Sequence, residues 1–246
     1  MAPNFKMIIE YDGTDYHGWQ RQKQDRSVQE EIEKAIQAMT TKKVTVCASG
    51  RTDAGVHACG QVANFHCDTQ LTPEVLQKGL NSLLPSDIVI KECRRVDNSF
   101  HARYDASSKI YHYKILNRRV PPAIGRQYAL FIRRPLNTAA MRLAASQLIG
   151  YHDFKAFEGT GSPRSHTTRN VMAAEITENS CGMVTFKIEA DGFLRFMVRN
   201  IVGTLLEAGL GKIEAGEVKK ILDSKDRSRA GATAPARGLY LMEVRY

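Results

Sequence analysis

Residues 49–67 read SGRTDAGVHACGQVANFHC, and this segment gathers side chains whose types and spacing can do chemistry. Gly50 and Gly55 allow a backbone to approach a ligand closely, while Arg51 and Asp53 set opposite charges two positions apart, with His57 just beyond. A carboxylate beside a guanidinium is equipped to attack or deprotonate an electron-poor centre. The alternative is a glycine-held turn carrying a local Arg51 to Asp53 ion pair on the surface, which is worth little. His57, Cys59, His66 and Cys67 are zinc-ligand types, and a metal-assisted hydrolase built on them is a further reading, but their spacing fits no zinc-site pattern. No metal is expected.

The rest of the composition narrows the class of chemistry. With 246 residues, 43% of them hydrophobic, the chain can bury one large core or two modest ones. The five cysteines are odd in number and form no CxxC pair, which suits reduced thiols. The opening residues carry neither a signal-peptide pattern nor a bilayer-length apolar run, so a cytoplasmic protein away from membranes is expected. The formal net charge of +9 favours a polyanionic partner. Arginines cluster as Arg94 with Arg95, Arg118 with Arg119, Arg133 with Arg134, Arg164 with Arg169 and Arg227 with Arg229, which suits phosphate recognition.

The elements that must position these residues follow from periodicity. Residues 5–11 read as a strand, and the run YDGTDYHGWQRQ after it as a structured loop. Ser27 and Glu30 have capping-box spacing, and Val28, Ile32, Ala35, Ile36 and Met39 recur at helical period. Strands are expected at 44–49, 61–67 and 88–96, with a helix opening at Thr72 and Pro73. This order is the split βαβ of ferredoxin-like folds. A second α+β unit follows: a strand at 109–116, a helix capped by Asn137 running to 149, strands near 171–176 and 184–190, helices at 193–206 and 218–222, and a last strand at 239–246. Residues 9–13, IEYDG, and 188–192, IEADG, resemble each other and hint at duplication, which would leave a cleft between two sheets for a ligand.

The segment SGRTDAGVHACGQVANF resembles the catalytic loop of the tRNA pseudouridine synthase A family, and four further segments agree in order. These are YDGTDYHGWQRQ (11–22), FHARYDASSKIYHYKI (100–115), GFLRFMVRNIVGTL (192–205) and TAPARGLYLMEVRY (233–246). The resemblance implies an α+β fold of two ferredoxin-like antiparallel-sheet halves side by side, with helices on one face and a central cleft. It divides the chain into an N-terminal domain, 1–105, carrying the aspartate loop, and a C-terminal domain, 106–246, carrying the active-site tyrosine and arginine. It further implies a homodimer that grips one tRNA at the anticodon stem-loop, commonly at uridines 38–40, and uses no metal or organic cofactor.

Carried over residue by residue, the resemblance makes Asp53 the catalytic aspartate, Tyr111 the active-site tyrosine and Arg199 the arginine paired with the aspartate. Arg51 becomes the arginine that fills the space left by the extruded base. These residue types fit the chemistry. Isomerising uridine breaks the bond from C1′ to N1, turns the uracil, joins C5 to C1′ and releases the C5 proton. A carboxylate can attack the sugar carbon, as in retaining glycosidases, or remove a ribose proton to give a glycal. Either route needs an ionised carboxylate, which burial alone opposes and a nearby guanidinium favours. Extruding the base costs a few kcal/mol, and Tyr111 can stack on it. A non-catalytic RNA-binding ferredoxin-like protein is the competing reading, although an RNP1-like aromatic run is missing from the sequence.

Overall fold

In the computed structural model, which describes residues 2–159, 161 and 166–246, the chain opens with strand β1 (Asn4–Tyr11), whose alternation buries Phe5, Met7 and Ile9. Helix α1 (Val28–Thr40), strands β2 (Cys47–Ala48) and β3 (His57–His66), helix α2 (Pro73–Leu83) and strand β4 (Ile88–Val96) follow. Strand β1 lies between β3 and β4 and is antiparallel to both, with Phe5 opposite Phe65 and Arg95. The two phenyl rings stack with centroids 5.4 Å apart. Strand β2 pairs with the other edge of β3, so the order β4-β1-β3-β2 with two helical connections is ferredoxin-like. Helix α2 packs on β4 and against α1, whose Val28, Ile32, Ala35 and Ile36 are buried as the helical period requires.

Two local expectations need correction. The capping box at Ser27 does not form: its hydroxyl is buried without a partner, and Glu30 instead pairs with Lys34 at 2.9 Å. Two of the free amides at the start of α1 are met instead by loop carbonyls, Val28 N donating to Gly18 O at 3.3 Å and Gln29 N to Trp19 O at 3.0 Å. Strand β3 begins at His57, four residues before the sequence suggests, while β2 shrinks to two residues. By contrast, the side chain of Thr72 caps α2 by accepting from Val75 N.

The second unit contains β5 (Ser108–Asn117), β6 (Leu130–Ile132), α3 (Thr138–Ser146), β7 (Gly150–Asp153), β8 (Thr168–Glu178), β9 (Met183–Ala190), α4 (Met197–Gly209) and α5 (Glu217–Ser224). Its antiparallel strands run β5-β9-β8-β7, β6 lies parallel along β5, and α3 packs on β8 and α4. With the short strands β6 and β7 set aside, the order strand, helix, strand, strand, helix recurs in β5, α3, β8, β9 and α4, and the chain is α+β with two repeated halves. The side chain of Asn137 caps α3, accepting from Ala140 N at 3.0 Å, but the helix stops at Ser146 instead of 149. Strand β10 (Leu239–Arg245) comes last and pairs in parallel with β3, Tyr240 opposite His57. Contacts group Tyr240–Tyr246 with the residues up to Ser107, and Ser108–Leu239 with one another. Among the described residues no helix is long and apolar enough to cross a membrane.

Candidate active site

The loop between β2 and β3 carries Asp53, and its neighbours on both sides are fixed by bonds to residues far away in sequence. At its base, Ser49 N donates to Val62 O at 2.8 Å, Ser49 Oγ to Gln61 Oε1 at 2.7 Å, and Gln61 Nε2 to Gly50 O at 3.0 Å. A turn closes through Val56 N to Asp53 O at 3.1 Å, with Gly55 at φ 75. The preceding residue, Thr52, is buried; its Oγ1 meets Tyr11 Oη at 2.7 Å and its carbonyl accepts from Trp19 N at 3.1 Å. Burial pushes the Tyr11 phenol up to about 12, so it stays a neutral hydrogen-bonding partner.

The run YDGTDYHGW supplies the surface on which this loop rests. Gly18 has φ 90, and a Cβ there would lie 2.5 Å from Thr52 O; a Cβ on Gly13 would lie 2.0 Å from Val56 O. Only glycine permits these approaches. Gly55 N donates to Tyr16 O at 3.1 Å, and Tyr16 in turn is held by Asp87 through its hydroxyl at 2.5 Å. The result is a half-buried Asp53 carried by a backbone with little freedom.

His57 is buried and stacks on Tyr240 at 4.7 Å. Its Nδ1 lies 3.0 Å from Asp12 Oδ1 and 3.1 Å from Gly13 N, and one ring nitrogen can donate to the first or accept from the second, not both. Asp12 Oδ1 also accepts from Thr14 N and Thr14 Oγ1, so His57 ties the N-terminal loop to β3. Arg51 is exposed, its Nε donating to Gln20 Oε1 at 2.9 Å. The zinc reading fails on geometry: His57 and His66 stand at opposite ends of β3, roughly 30 Å apart at the rise of a strand. Among the described residues no three His, Cys, Asp or Glu side chains are grouped to hold a metal.

The second unit holds Tyr111 and Arg199. Tyr111 is buried on β5 and meets the Phe193 ring edge-on at 4.9 Å. Tyr113, on the same face, is wholly buried and donates its hydroxyl to Pro235 O at 2.7 Å, and burial raises its phenol against the lowering influence of Arg199 and Arg237. Arg199 is half-buried in the first turn of α4. Its Nε donates to Ala234 O at 2.7 Å while Ala234 N donates back to Arg199 O at 3.1 Å, and its guanidinium lies over the Phe196 ring at 4.9 Å.

Three features here escaped the sequence. Phe196 adopts φ 61, a left-handed conformation costing about 1–3 kcal/mol for such a residue, which is why α4 starts at Met197 instead of 193. Asn200, fully buried, donates to Phe157 O at 2.8 Å and accepts from Arg227 Nη2 at 3.0 Å and Thr233 Oγ1 at 2.6 Å. A Cβ on Gly203 would fall 1.8 Å from Ala232 O, so the 230–234 strip lies directly on the helix that carries Arg199. Small residues at 230–234 were the available signal. Arg195 is exposed, its guanidinium also over the Phe196 ring, at 4.6 Å; Arg169 is occupied with the carbonyls of His166 and Thr168, and Arg164 lies outside the described residues.

A sequence profile for a family described as tRNA pseudouridine synthase matches residues 7–105 and 144–246. The chain is 49% identical over 243 residues to the tRNA pseudouridine synthase A of Acetivibrio thermocellus, covering 99% of each chain. It is 50% identical over 243 residues to that of Thermoanaerobacter sp. (strain X514), again over 99% of each. Among solved structures, one of the archaeal box H/ACA sRNP Nop10-Cbf5 complex overlaps 97% of this chain and 46% of the other, at 13% identity and a TM-score of 0.34.

Proposed function

The chain belongs to the tRNA pseudouridine synthase family, and on that premise we propose that it isomerises uridines 38–40 of the tRNA anticodon stem-loop with Asp53 as the catalytic carboxylate. The observation that carries this reading is the pinned loop: a half-buried aspartate whose flanks are held by Thr52, Gly18 and Gly13. A carboxylate that must meet C1′ of an extruded nucleotide gains from such preorganisation, since reacting atoms have to lie about 3–3.5 Å apart.

In the reaction the C1′–N1 bond breaks, with the sugar carbon passing to the Asp53 carboxylate or losing a 2′ proton to it. The uracil turns, C5 bonds to C1′, and the C5 proton is lost while N1 gains one, so nothing is oxidised or hydrolysed. Arg199 supplies the guanidinium that favours the ionised aspartate. Tyr111 stacks on the extruded uracil and offers a hydroxyl for proton transfer. Arg51, exposed and on the same loop as Asp53, fills the space the base vacates. The working form is a cytoplasmic homodimer that needs no metal or organic cofactor.

The test uses the purified protein and a tRNA transcript tritiated at uridine C5. Release of tritium to water, with carbodiimide-detected pseudouridine at 38–40, is expected. Release with products elsewhere would overturn the positions, and no release under conditions where tRNA binds would overturn the activity.

A further inference from the structure

The turn that follows β4 exposes an aromatic ring on a base built to hold it still. Tyr104 is 75% exposed, the most exposed tyrosine among the large apolar and aromatic side chains that face solvent. Beneath it the backbone of residues 100–102 is gripped from three sides. Asn4 Nδ2 donates to Phe100 O at 2.9 Å, Asn64 Oδ1 accepts from Ala102 N at 2.9 Å, and Tyr246 Oη donates to Ala102 O at 2.8 Å. Asn4, Asn64 and Lys6 are all buried under this turn, with Lys6 Nζ over the Tyr246 ring at 4.0 Å and the Phe100 ring at 5.1 Å. Burying a lysine and two amides is costly, and here every one of them is spent on the turn.

The tip is ordered as well. Asp105 N donates to His101 O at 3.1 Å and His101 N to Asp105 Oδ2 at 2.9 Å, closing the turn in both directions. His101 Nδ1 accepts from Arg103 N at 3.1 Å and Tyr104 N at 3.4 Å, which requires a lone pair there and leaves the ring proton on Nε2. The imidazole lies against the Tyr104 ring at 4.3 Å, and the Arg103 guanidinium is 5.7 Å from its centroid. Nearby exposed residues are mostly polar or charged: Arg94, Arg95, Asp97, Asn98, Ser99 and Asp105, with Tyr246, 42% exposed, as the second aromatic. A protein interface would want contiguous apolar surface around such a ring. A preoriented aromatic with a guanidinium beside it and a largely charged surround suits an unpaired nucleobase and its phosphate.

We propose that the 101–105 turn is an RNA-docking knob, on which Tyr104 stacks an unpaired base of the tRNA and Arg103 pairs with an adjacent phosphate. This rests on the tRNA reading above and adds a contact away from the chemistry. The test measures equilibrium binding of unmodified tRNA and the pseudouridine yield for the full-length protein and its variants. Tyr104→Ala is expected to raise the Kd about ten-fold, in the range of losing one base stack, while Tyr104→Phe stays near the parent and Tyr104→Leu does not. Arg103→Gln should weaken binding and lower the slope of log affinity against log salt by about one. Unchanged melting temperatures check that the exposed substitutions leave the fold intact. If the parent binds tRNA and forms pseudouridine but Tyr104→Ala binds equally well, the knob is overturned and the activity stands. If Tyr104→Ala alters the oligomeric state and leaves the Kd alone, the surface serves a second copy of the chain and the proposal is equally overturned. A parent that neither binds nor modifies tRNA would sink the functional reading itself.

Discussion

The two segments that carry charged site candidates, the loop of Asp53 and the first turn of α4 with Arg199, are held by opposite devices. Around Asp53 the tight approaches fall on glycines: Gly13 and Gly18 lie against the loop's carbonyls, and Gly18 and Gly55 take positive φ at no steric cost. Around Arg199 the positive φ falls on Phe196, a residue that pays for it, while Gly203 receives the adjacent strip. The loop is therefore relaxed and rigid, and the helix start is rigid because packing overrules local preference. Such strain persists only where the surrounding packing over-determines it, and here it sits beside an arginine that lies on the Phe196 ring.

The largest effect should come from filling the closest approach. Gly203→Ala sets a methyl 1.8 Å from a backbone oxygen, and moving the strip is expected to cost about 3 kcal/mol, or roughly 6–12 °C in melting temperature. Calorimetry checks this, and a fall under 2 °C would show that the strip is loose. Next, Asn200→Ala strands three hydrogen-bond partners and should cost about 2–3 kcal/mol, against about 1 kcal/mol for Thr52→Val in the first loop. Equal losses from the two variants would erase the asymmetry between the regions.

Phe196→Gly sharpens the comparison differently. Relief of the backbone strain and loss of the ring's burial nearly cancel, so stability should move by only about 1 kcal/mol while turnover falls. Full turnover would separate the strain from Arg199. The last effect is confined to alkaline pH and concerns Tyr11. Its phenol ionises near 10 when unfolded and at about 12 when folded, so its contribution is complete below pH 10 and is lost as pH rises from 10 to 12. Urea titrations across that window should show the parent losing stability faster than Tyr11→Phe, by up to about 1.4 kcal/mol per pH unit.

How much of this was legible depends on where the decisive contacts lie along the chain. The 5–11 and 88–96 strands and the caps at Thr72 and Asn137 are local signals, and the structure follows them to within a residue at most starts. Ser27 misled because the loop carbonyls that replace its cap come from Gly18 and Trp19, outside the helix altogether. Strands β6 and β7 have three and four residues, too short for alternation to register. At the site, residue types were readable and their support was not: Thr52 meets Tyr11 across 41 positions, and Arg199 meets Ala234 across 35. Glycines in YDGTDYHGW pointed at a close approach without naming its partner. Nothing in the residue type of Phe196 announced a left-handed backbone.

The central claim is that one carboxylate on the pinned loop carries the chemistry, and single-turnover kinetics of Asp53→Asn test it most directly. Excess enzyme is mixed with C5-tritiated tRNA, with binding measured in parallel. The amide keeps the shape and loses the charge, so tritium release should vanish while the Kd stays within a few-fold of the parent. Release at the parent's rate, from a variant shown by mass to be the asparagine form, would contradict the account.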